Sequence, residues 1–202
     1  MDKSLLASGH RACAGCAMPT TIRLVLDAAG PNTIVVSPTG CLEVTTTPFP
    51  ESSWCVPWLH SLFENASAAA SGVEVMLKRR GKDTNVVIIG GDGSTFDIGM
   101  GSNSGMFERG HKILYVCYDN EAYMNTGVQR SGSTPFCVHT TTTPSGSQSQ
   151  GNPRPKKDMP AIALAHGIPY VATASVAYPV DLRRKVKRAL QMNGPSYIQV
   201  NA

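Results

Sequence analysis

The sequence predicts an α/β fold with three layers, in which helices cover both faces of a mostly parallel β-sheet. Two observations support this fold class. Short runs of apolar and β-branched residues alternate along the chain with stretches of helical periodicity. The runs are continuously apolar, as expected for strands that are buried on both faces of a parallel sheet. The length of 202 residues is enough for a full core, so we predict a single domain over 1–202.

The first predicted strand covers 33–37, TIVVS, and the first predicted helix covers 61–81. Cations fill the last turn of this helix and Gly81 closes it, which is typical of a helix C-terminus. Its many Ala, Ser and Gly residues would let another backbone approach closely. The apolar positions that recur at helical spacing are Leu62, Ala66, Ala69, Val73, Met76 and Leu77.

Four further strands are predicted, at 85–91, 113–120, 170–173 and 196–200. Pro179 opens a helix between the last two, because proline is favoured in the first turn of a helix. The inward positions of that helix are Leu182, Val186 and Leu190, and its basic residues face outward. In sheets of this class ligands bind beyond the carboxyl ends of the strands, so we expect a site at that edge.

One segment, 139–158, does not fit this alternation. It has no apolar period and is rich in Thr, Ser, Gln, Pro and Gly. A polar loop of this length is either disordered or functional, as a lid or a docking arm, and both interpretations stay open.

Charge and composition exclude several classes of protein. The formal net charge is +4, and the basic residues cluster mainly in 78–80 and 183–188, which we interpret as solvated helix faces, not a nucleic-acid site. The N-terminus has no apolar segment and no stretch approaches a membrane span. We therefore predict a cytoplasmic protein with no membrane association. In that compartment the six cysteines are expected to serve metal binding, catalysis or burial, not disulfides.

A glycine-rich turn after the strand at 85–91 predicts an anion site. The strand runs into Gly90, Gly91, Asp92 and Gly93, and a helix is expected to follow. Glycines let backbone N–H groups approach an anion, and the start of a helix favours negative charge. Neither the dinucleotide fingerprint nor the P-loop pattern is present. The carboxylate among the glycines predicts a cation between Asp92 and bound phosphates.

A second strand supplies a partner for Asp92. The stretch 116–127, VCYDNEAYMNTG, ends in polar residues at the same edge of the predicted sheet. Gly93 and Asn120 are separated by 26 residues, enough for one crossover helix and the neighbouring strand. Asp92 and Asn120 would then lie side by side at two adjacent strand ends. Hard oxygen ligands that phosphates complete to an octahedron describe Mg²⁺.

These motifs together resemble a known family. The G-D-G-x(26)-N arrangement is that of thiamine-diphosphate enzymes. The stretches GHRACAGC, SPTGCLEVTTTPFP and DNEAYMNTGVQRSGSTP resemble the beta subunit of the 2-oxoacid:ferredoxin oxidoreductases, to which pyruvate:ferredoxin oxidoreductase belongs. The resemblance covers nearly the whole chain. It implies the thiamine-diphosphate-binding version of the three-layer fold, with thiamine diphosphate, Mg²⁺ and a [4Fe–4S] cluster as cofactors.

The resemblance also implies roles for individual residues. The Mg²⁺ ligands would be Asp92, the Asn120 side chain and the Ala122 carbonyl. The diphosphate would be lined by Gly91, Gly93, Ser94 and Thr95. The residues closest to the reacting part of the cofactor would be Asn125 and Thr126.

The C-x-x-C pair of Cys13 and Cys16 can begin a disulfide, a zinc site, a redox dithiol or an iron–sulfur site, and its local sequence does not decide between them. The resemblance implies that both, with Cys41, bind the [4Fe–4S] cluster in an N-terminal segment, 1–45. Cys117 is expected to be a core residue, and Cys55 and Cys137 to be structural. His10 is expected to make a polar contact near the cofactor or the cluster.

The fourth cluster cysteine of the family would follow the strand at 196–200, beyond the last residue. Three explanations stay open. The chain is the front part of a longer subunit, which we favour. Alternatively a local cysteine substitutes, with Cys55, Cys117 and Cys137 as candidates, or the cluster is absent.

The resemblance implies oxidative decarboxylation of a 2-oxoacid, with pyruvate as first guess and oxalate or another 2-oxoacid as alternatives. Electrons would pass through the cluster to ferredoxin, and the acyl group to coenzyme A. The activating glutamate would come from an alpha-type partner that supplies the pyrimidine-binding domain, and gamma- and delta-type partners would carry further clusters. Two other hypotheses are a non-redox thiamine-dependent decarboxylase subunit and a non-catalytic zinc-binding module.

Overall fold

A computed structural model describes residues 4–48 and 50–202 of the chain. The helices are α1 (Met18–Ala29), α2 (Cys41–Thr46), α3 (Ala66–Arg79), α4 (Met100–Glu108), α5 (Met159–Ala165) and α6 (Pro179–Leu190), with a π-helix over Gly93–Ile98. The strands are β1 (Thr33–Pro38), β2 (Trp58–Ser61), β3 (Asn85–Gly91), β4 (Leu114–Asp119), β5 (Ala122–Tyr123), β6 (Gln129–Arg130), β7 (Ser145–Gly146), β8 (Ser149–Gln150), β9 (Tyr170–Ser175) and β10 (Ser196–Asn201).

Six strands form one sheet in the order β2-β1-β3-β4-β10-β9, and every neighbouring pair in it is parallel. The predicted α/β fold with a parallel sheet is confirmed. Side chains of β3 alternate between two apolar clusters. Val87 and Ile89 pack in the cluster that α1 and α6 cover, while Val86 and Ile88 pack in the one that α3, α4 and α5 cover. The central strand is therefore buried on both faces.

The predicted helix over 61–81 is wrong at its start and at two of its inward positions. Of the other four, Ala66 is buried, and Ala69, Val73 and Leu77 pack partly buried against the core. Residues up to Ser61 form the edge strand β2, and α3 begins only at Ala66. Leu62 is 62% exposed and Met76 is 51% exposed. The buried positions of α3 are small or polar: Ala66, Ser67, Ala70, Ser71 and Glu74. Small residues are favoured on this face because α3 packs closely against α4, where the Ser67 hydroxyl donates to the Asn103 amide oxygen at 2.6 Å.

Helices α1, α2 and α5 and strand β2 were not predicted. For α1 the signal was present, since Ile22, Val25 and Leu26 recur at helical spacing and are fully buried. No helix within the described ranges is both long enough and apolar enough to cross a lipid bilayer.

The polar segment 139–158 contains the short hairpin of β7 and β8, whose residues are exposed. The end of the segment is anchored. Asn152 is fully buried, accepts a hydrogen bond from the Arg130 guanidinium at 2.8 Å, and donates to the carbonyl oxygens of Thr134 and Pro135. Lys156 and Lys157 form ion pairs with carboxylates at the carboxyl edge of the sheet. This segment thus packs over the edge where the site residues lie.

Candidate functional site

The end of β3 is built for close approach of other groups. Asp92 follows the strand, is only 2% exposed, and leads into the π-helix. A Cβ atom at Gly93 would lie 2.4 Å from the ring of Tyr123, and one at Gly90 would lie 2.7 Å from the hydroxyl of Tyr115. These glycines are required because the neighbouring tyrosine side chains fill the space that a methyl group would need.

The π-helix shapes the turn after Asp92. The Gly99 N–H donates to the carbonyl oxygen of Ser94 at 3.0 Å, five residues back. A Cβ at Gly99 would lie 2.1 Å from that oxygen, so no other residue fits without a shift of the backbone.

Asp92 and Asn120 meet at the ends of β3 and β4, which are neighbours in the sheet. One terminal atom of the Asn120 amide lies 2.8 Å from Asp92 Oδ1 and 3.0 Å from the Ala122 carbonyl oxygen. With the amide oxygen at that position, three oxygens face one another with no proton between them. With the amide turned over, its NH₂ group donates to both neighbours. A cation among the three oxygens would satisfy the first arrangement.

The donor set fits Mg²⁺. Adjacent ligands of an octahedral ion at 2.0–2.1 Å are about 2.9 Å apart, close to the two separations at Asn120. A carboxylate, an amide oxygen and a backbone carbonyl are hard ligands, and three positions remain for phosphates or water. The donor set matches Mg²⁺ in the orientation in which the Asn120 amide presents its oxygen towards Asp92 and Ala122.

Burial raises the pKa of Asp92 to about 7; the hydrogen bond from Ser131 opposes this rise, and the nearby Asp119 carboxylate adds to it. A cation beside Asp92 would favour its charged form. Without one, the site holds a carboxylate that burial makes costly to ionise. This electrostatic environment is consistent with a cation-binding position.

A pocket of about 430 Å³, counting the space open to solvent, borders these oxygens. Most of the predicted site residues line it: Cys41, Gly91, Asp92, Gly93, Ser94, Asn120, Ala122, Asn125 and Thr126. Thr95 does not, because its buried hydroxyl lies 2.6 Å from the Gly91 carbonyl oxygen and 2.9 Å from the Tyr115 hydroxyl. Cofactor contacts of these residues stay predictions.

Several pocket residues were not predicted: Thr39, Gly40, Phe63, Tyr118, Tyr123 and Met124. Thr39 and Gly40 follow β1, which is also a neighbour of β3. A polar pair directly after a buried strand was the signal that could have identified them. Phe63 stacks on Tyr123 with ring centroids 5.9 Å apart, and this pairing depends on a loop that periodicity does not reveal.

The cysteines fall into different environments. Cys41 begins α2 on the pocket wall. Burial raises the pKa of its thiol, and the thiols of Cys16 and Cys13 raise it further, while a hydrogen bond from the Asn125 backbone N–H opposes them. Cys13 and Cys16 are exposed and share a turn in which the Cys16 N–H donates to the Cys13 carbonyl oxygen at 3.1 Å. Cys13 and Cys16 are thus near enough to Cys41 to influence the pKa of its thiol.

All six cysteines are free thiols. Among residues 4–48 and 50–202, no three or more Cys, His, Asp or Glu side chains form a closed group able to hold a metal ion. Cys117 is fully buried in β4, in agreement with the prediction of a core residue. Cys55 and Cys137 are exposed, and Cys137 has a φ of 65°, which is unusual for a residue other than glycine. His10 Nδ1 is buried without a hydrogen-bond partner in the described part of the chain.

Known proteins resemble this chain in sequence and in fold. The family described as thiamine pyrophosphate enzyme, C-terminal TPP binding domain, matches residues 38–200. Pyruvate synthase subunit PorB of Methanosarcina barkeri is 64% identical over 202 residues, covering 99% of this chain and 68% of the relative.

The chain belongs to the beta-subunit family of the 2-oxoacid:ferredoxin oxidoreductases.

Other members of this family are also similar. Ketoisovalerate oxidoreductase subunit VorB of Pyrococcus abyssi is 47% identical over 201 residues, covering 96% of this chain and 65% of the relative. A solved structure, 2-oxoglutarate:ferredoxin oxidoreductase from Magnetococcus marinus, superimposes with a TM-score of 0.81 at 25% identity, covering 98% of this chain and 65% of that one. The chain thus spans about two thirds of the length of these relatives.

Proposed function

We propose that this chain is the thiamine-diphosphate-binding part of an enzyme that oxidatively decarboxylates a 2-oxoacid, with pyruvate as substrate. Relatives named pyruvate synthase subunits are 48–64% identical to it, which favours pyruvate over the 2-oxoacids of more distant relatives. The observation that carries the proposal is the convergence of Asp92, Asn120 and Ala122 oxygens beside a pocket. That arrangement suits a cation that anchors a diphosphate.

Each part of the pocket has a role in the proposal. Asp92, Asn120 and the Ala122 carbonyl would hold Mg²⁺, and the backbone N–H groups around Gly91 and Gly93 would face the phosphates. When bound, thiamine diphosphate supplies the electron sink that decarboxylation of a 2-oxoacid requires. The apolar wall of the pocket would exclude water from the reacting atoms.

Cys13, Cys16 and Cys41 would bind a [4Fe–4S] cluster, for which thiolates are the usual ligands. Support comes from the position of Cys41 on the pocket wall and from the raised pKa of its thiol, to which Cys16 and Cys13 contribute after burial. The overall change converts a 2-oxoacid and coenzyme A to an acyl-CoA, CO₂, a proton and two electrons. A one-electron carrier beside the pocket would let the two electrons leave singly towards ferredoxin.

The proposal includes partner subunits. Thiamine enzymes need a carboxylic acid near the pyrimidine ring, and no glutamate of the described residues lines the pocket. Glu121, which lies between the lining residues Asn120 and Ala122, forms an ion pair with Lys156 at 3.0 Å. We therefore propose that an alpha-type subunit supplies the acid, and that gamma- and delta-type subunits carry further clusters towards ferredoxin.

The test is anaerobic purification of the full chain with the proteins that co-purify with it. The preparation is analysed for thiamine diphosphate, iron and sulfide, then assayed for reduction of ferredoxin with pyruvate, 2-oxoisovalerate, 2-oxoglutarate and oxalate. We expect all three cofactor components and the fastest reduction with pyruvate. Absence of thiamine diphosphate would overturn the proposal, and a faster rate with another 2-oxoacid would correct the substrate.

Binding of Mg²⁺ and thiamine diphosphate to the chain is tested separately by thermal unfolding. Mg²⁺ and thiamine diphosphate at 100 times their dissociation constant should stabilise the protein by about 2.7 kcal/mol. Asp92→Asn should abolish this stabilisation. Asp83→Asn is the matched control. It removes an equal charge, but Asp83 is exposed and lies before the other end of β3.

A second candidate is a non-redox thiamine-dependent decarboxylase subunit. It is favoured by one observation, namely that the described cysteines do not form a closed metal group as placed. Bound thiamine diphosphate and CO₂ release without iron, sulfide or ferredoxin reduction would support it.

A further inference from the structure

We infer that Ser131 is the positioning residue of the candidate cation site, because its hydroxyl fixes the Asp92 carboxylate in the orientation that a cation needs. This inference rests on the proposed function, since it assumes that Asp92 binds the cation. Nothing in the sequence motif RSGSTP indicated it. It belongs to the stretch DNEAYMNTGVQRSGSTP, which resembles the family, and all four residues of 131–134 are buried.

Residues 131–134, Ser-Gly-Ser-Thr, form what we call the serine turn. Each member donates one hydrogen bond to a different part of the site edge. Ser131 Oγ donates to Asp92 Oδ2, and the Gly132 N–H donates to Asp97 Oδ2 at 2.8 Å. Ser133 Oγ donates to Asp119 Oδ1 at 2.5 Å, and Thr134 Oγ1 donates to the Glu121 carbonyl oxygen at 2.6 Å. The turn therefore ties together the ends of β3 and β4 and the π-helix.

The buried carboxylates of Asp92 and Asp119 depend on the serine turn to different degrees. Asp119 also accepts hydrogen bonds from Gln199 at 2.8 Å and from the Glu121 N–H at 3.1 Å, and it pairs with Lys156. Within the described ranges, Ser131 is the side chain that donates to Asp92 when Asn120 presents its oxygen. Loss of Ser133 leaves Asp119 well held, whereas loss of Ser131 leaves Asp92 free to rotate.

The hydrogen bond from the Ser131 hydroxyl determines which oxygen of Asp92 is left for a cation. Ser131 engages Oδ2, so Oδ1 is the atom that faces the Asn120 amide, and the same amide atom also lies 3.0 Å from the Ala122 carbonyl oxygen. The Ser131 hydroxyl is itself fixed, because it accepts from the Ser133 N–H at 3.1 Å and must direct its proton elsewhere. Ser131 is fully buried, so water does not replace its hydroxyl easily. Hydrogen bonds of this kind orient a ligand and tune its affinity for metal.

The experiment measures Mn²⁺ binding by electron paramagnetic resonance in the presence of thiamine diphosphate. It uses the full chain, purified anaerobically with its co-purifying subunits. Ser131→Ala should weaken Mn²⁺ binding by about 10- to 100-fold, the range typical for loss of such a partner. Ser131→Thr keeps the hydroxyl while it disturbs packing, so we expect an affinity near that of the wild type.

Ser133→Ala is the matched control, because it removes a hydroxyl of equal burial from the same turn. We expect it to lower the melting temperature in EDTA but to leave Mn²⁺ affinity within threefold of the wild type, a difference of about 0.7 kcal/mol. If Ser131→Ala does not fold, Ser131→Cys replaces it, because a thiol is close in size and a weak donor. A smaller loss of affinity is then expected.

Equal affinity of the wild type and the Ser131 variants would overturn the inference. So would equal losses in Ser131→Ala and Ser133→Ala, or in Ser131→Ala and Ser131→Thr, because packing alone would then explain them. Failure of the wild type to bind Mn²⁺ would instead overturn the proposed function. The two failures are thus distinguishable.

Discussion

Lys156 Nζ lies 2.7 Å from Asp119 Oδ2, and this ion pair joins the end of the polar segment to the end of β4. The Asp119 side chain is completely buried and that of Lys156 is 28% exposed. The next residue, Lys157, forms a similar pair of 2.7 Å with Asp97, but its side chain is 43% exposed. Two adjacent lysines thus make the same kind of contact at different depths.

Lys156→Ala should destabilise the protein by about 3 kcal/mol, because it leaves a buried carboxylate without its counter-charge. The hydrogen bonds that remain on Asp119 keep the loss at the lower end of the usual range. Lys157→Ala is the matched control and should cost about 1 kcal/mol or less, as for other exposed pairs. Urea unfolding of both variants measures the difference. Equal effects would show that burial does not decide the strength of these pairs.

Gly93→Ala should displace the Tyr123 ring and abolish binding of thiamine diphosphate, because its Cβ would lie 2.4 Å from a ring carbon. Gly101→Ala is the control. Gly101 lies on the exposed side of α4 with no atom near its added Cβ, so alanine should stabilise that helix by about 0.5–1 kcal/mol. Calorimetric titration with the cofactor and thermal unfolding separate the two effects. Normal cofactor affinity in Gly93→Ala would contradict the proposed site.

Glu74 predicts a pH dependence of stability far from the site. Burial acts to raise its pKa, but hydrogen bonds from Lys78 and His111 outweigh burial and the net pKa is lowered. The contribution of Glu74 is therefore fully present above pH 4.5, the ordinary pKa of glutamate, and is lost as the pH falls through the lowered value. Glu74→Gln should be less stable by about 2 kcal/mol at pH 7.

The measurement is the free energy of unfolding of wild type and Glu74→Gln from pH 3 to 7. Their difference should shrink towards acid pH. A difference that stays constant over this range would show that the charge of Glu74 is not what stabilises the fold.

Cys41→Ala should lower the iron and sulfide content of the anaerobically purified protein and its absorbance near 400 nm, because Cys41 is one of three proposed thiolate ligands. Cys55→Ala is the matched control, since Cys55 is exposed and outside the pocket. Its iron content should equal that of the wild type. Full iron in Cys41→Ala would remove this residue from the ligand set.

The sequence allowed prediction of five of the six strands of the main sheet and of the central pair in the site, Asp92 and Asn120, for a physical reason. Strands β3 and β4 are continuous apolar runs, and each ends at a polar residue whose type suggests its chemistry. Asp92 and Asn120 were therefore paired correctly from local patterns alone. The prediction needed no knowledge of distant contacts beyond the rule that crossover connections join parallel strands.

The rest depended on contacts between distant residues. Helix α3 buries serines and alanines, which have little hydrophobic signal. The prediction therefore missed its buried serines and assigned the exposed Leu62 and Met76 to its buried face. The serine turn has the composition of a solvated loop. Its burial arises from hydrogen bonds to Asp92 and Asp119, which lie 39 and 14 residues earlier in the chain. Composition does not reveal such partners.

The π-helix after Asp92 limits how this region of the gene can change. Its wide turn holds one residue more than an α-helical path would, and each residue of a helix turns the chain by about 100°. Deletion of a single codon between Gly93 and Gly99 would remove that extra residue and leave Met106 and Phe107 of α4 facing the core, whereas insertion of a codon would rotate α4 by that angle and turn them away from it. This segment should therefore lose one residue with less damage to the core than it would gain one, and the effect of a deletion should be confined to the turn after Asp92.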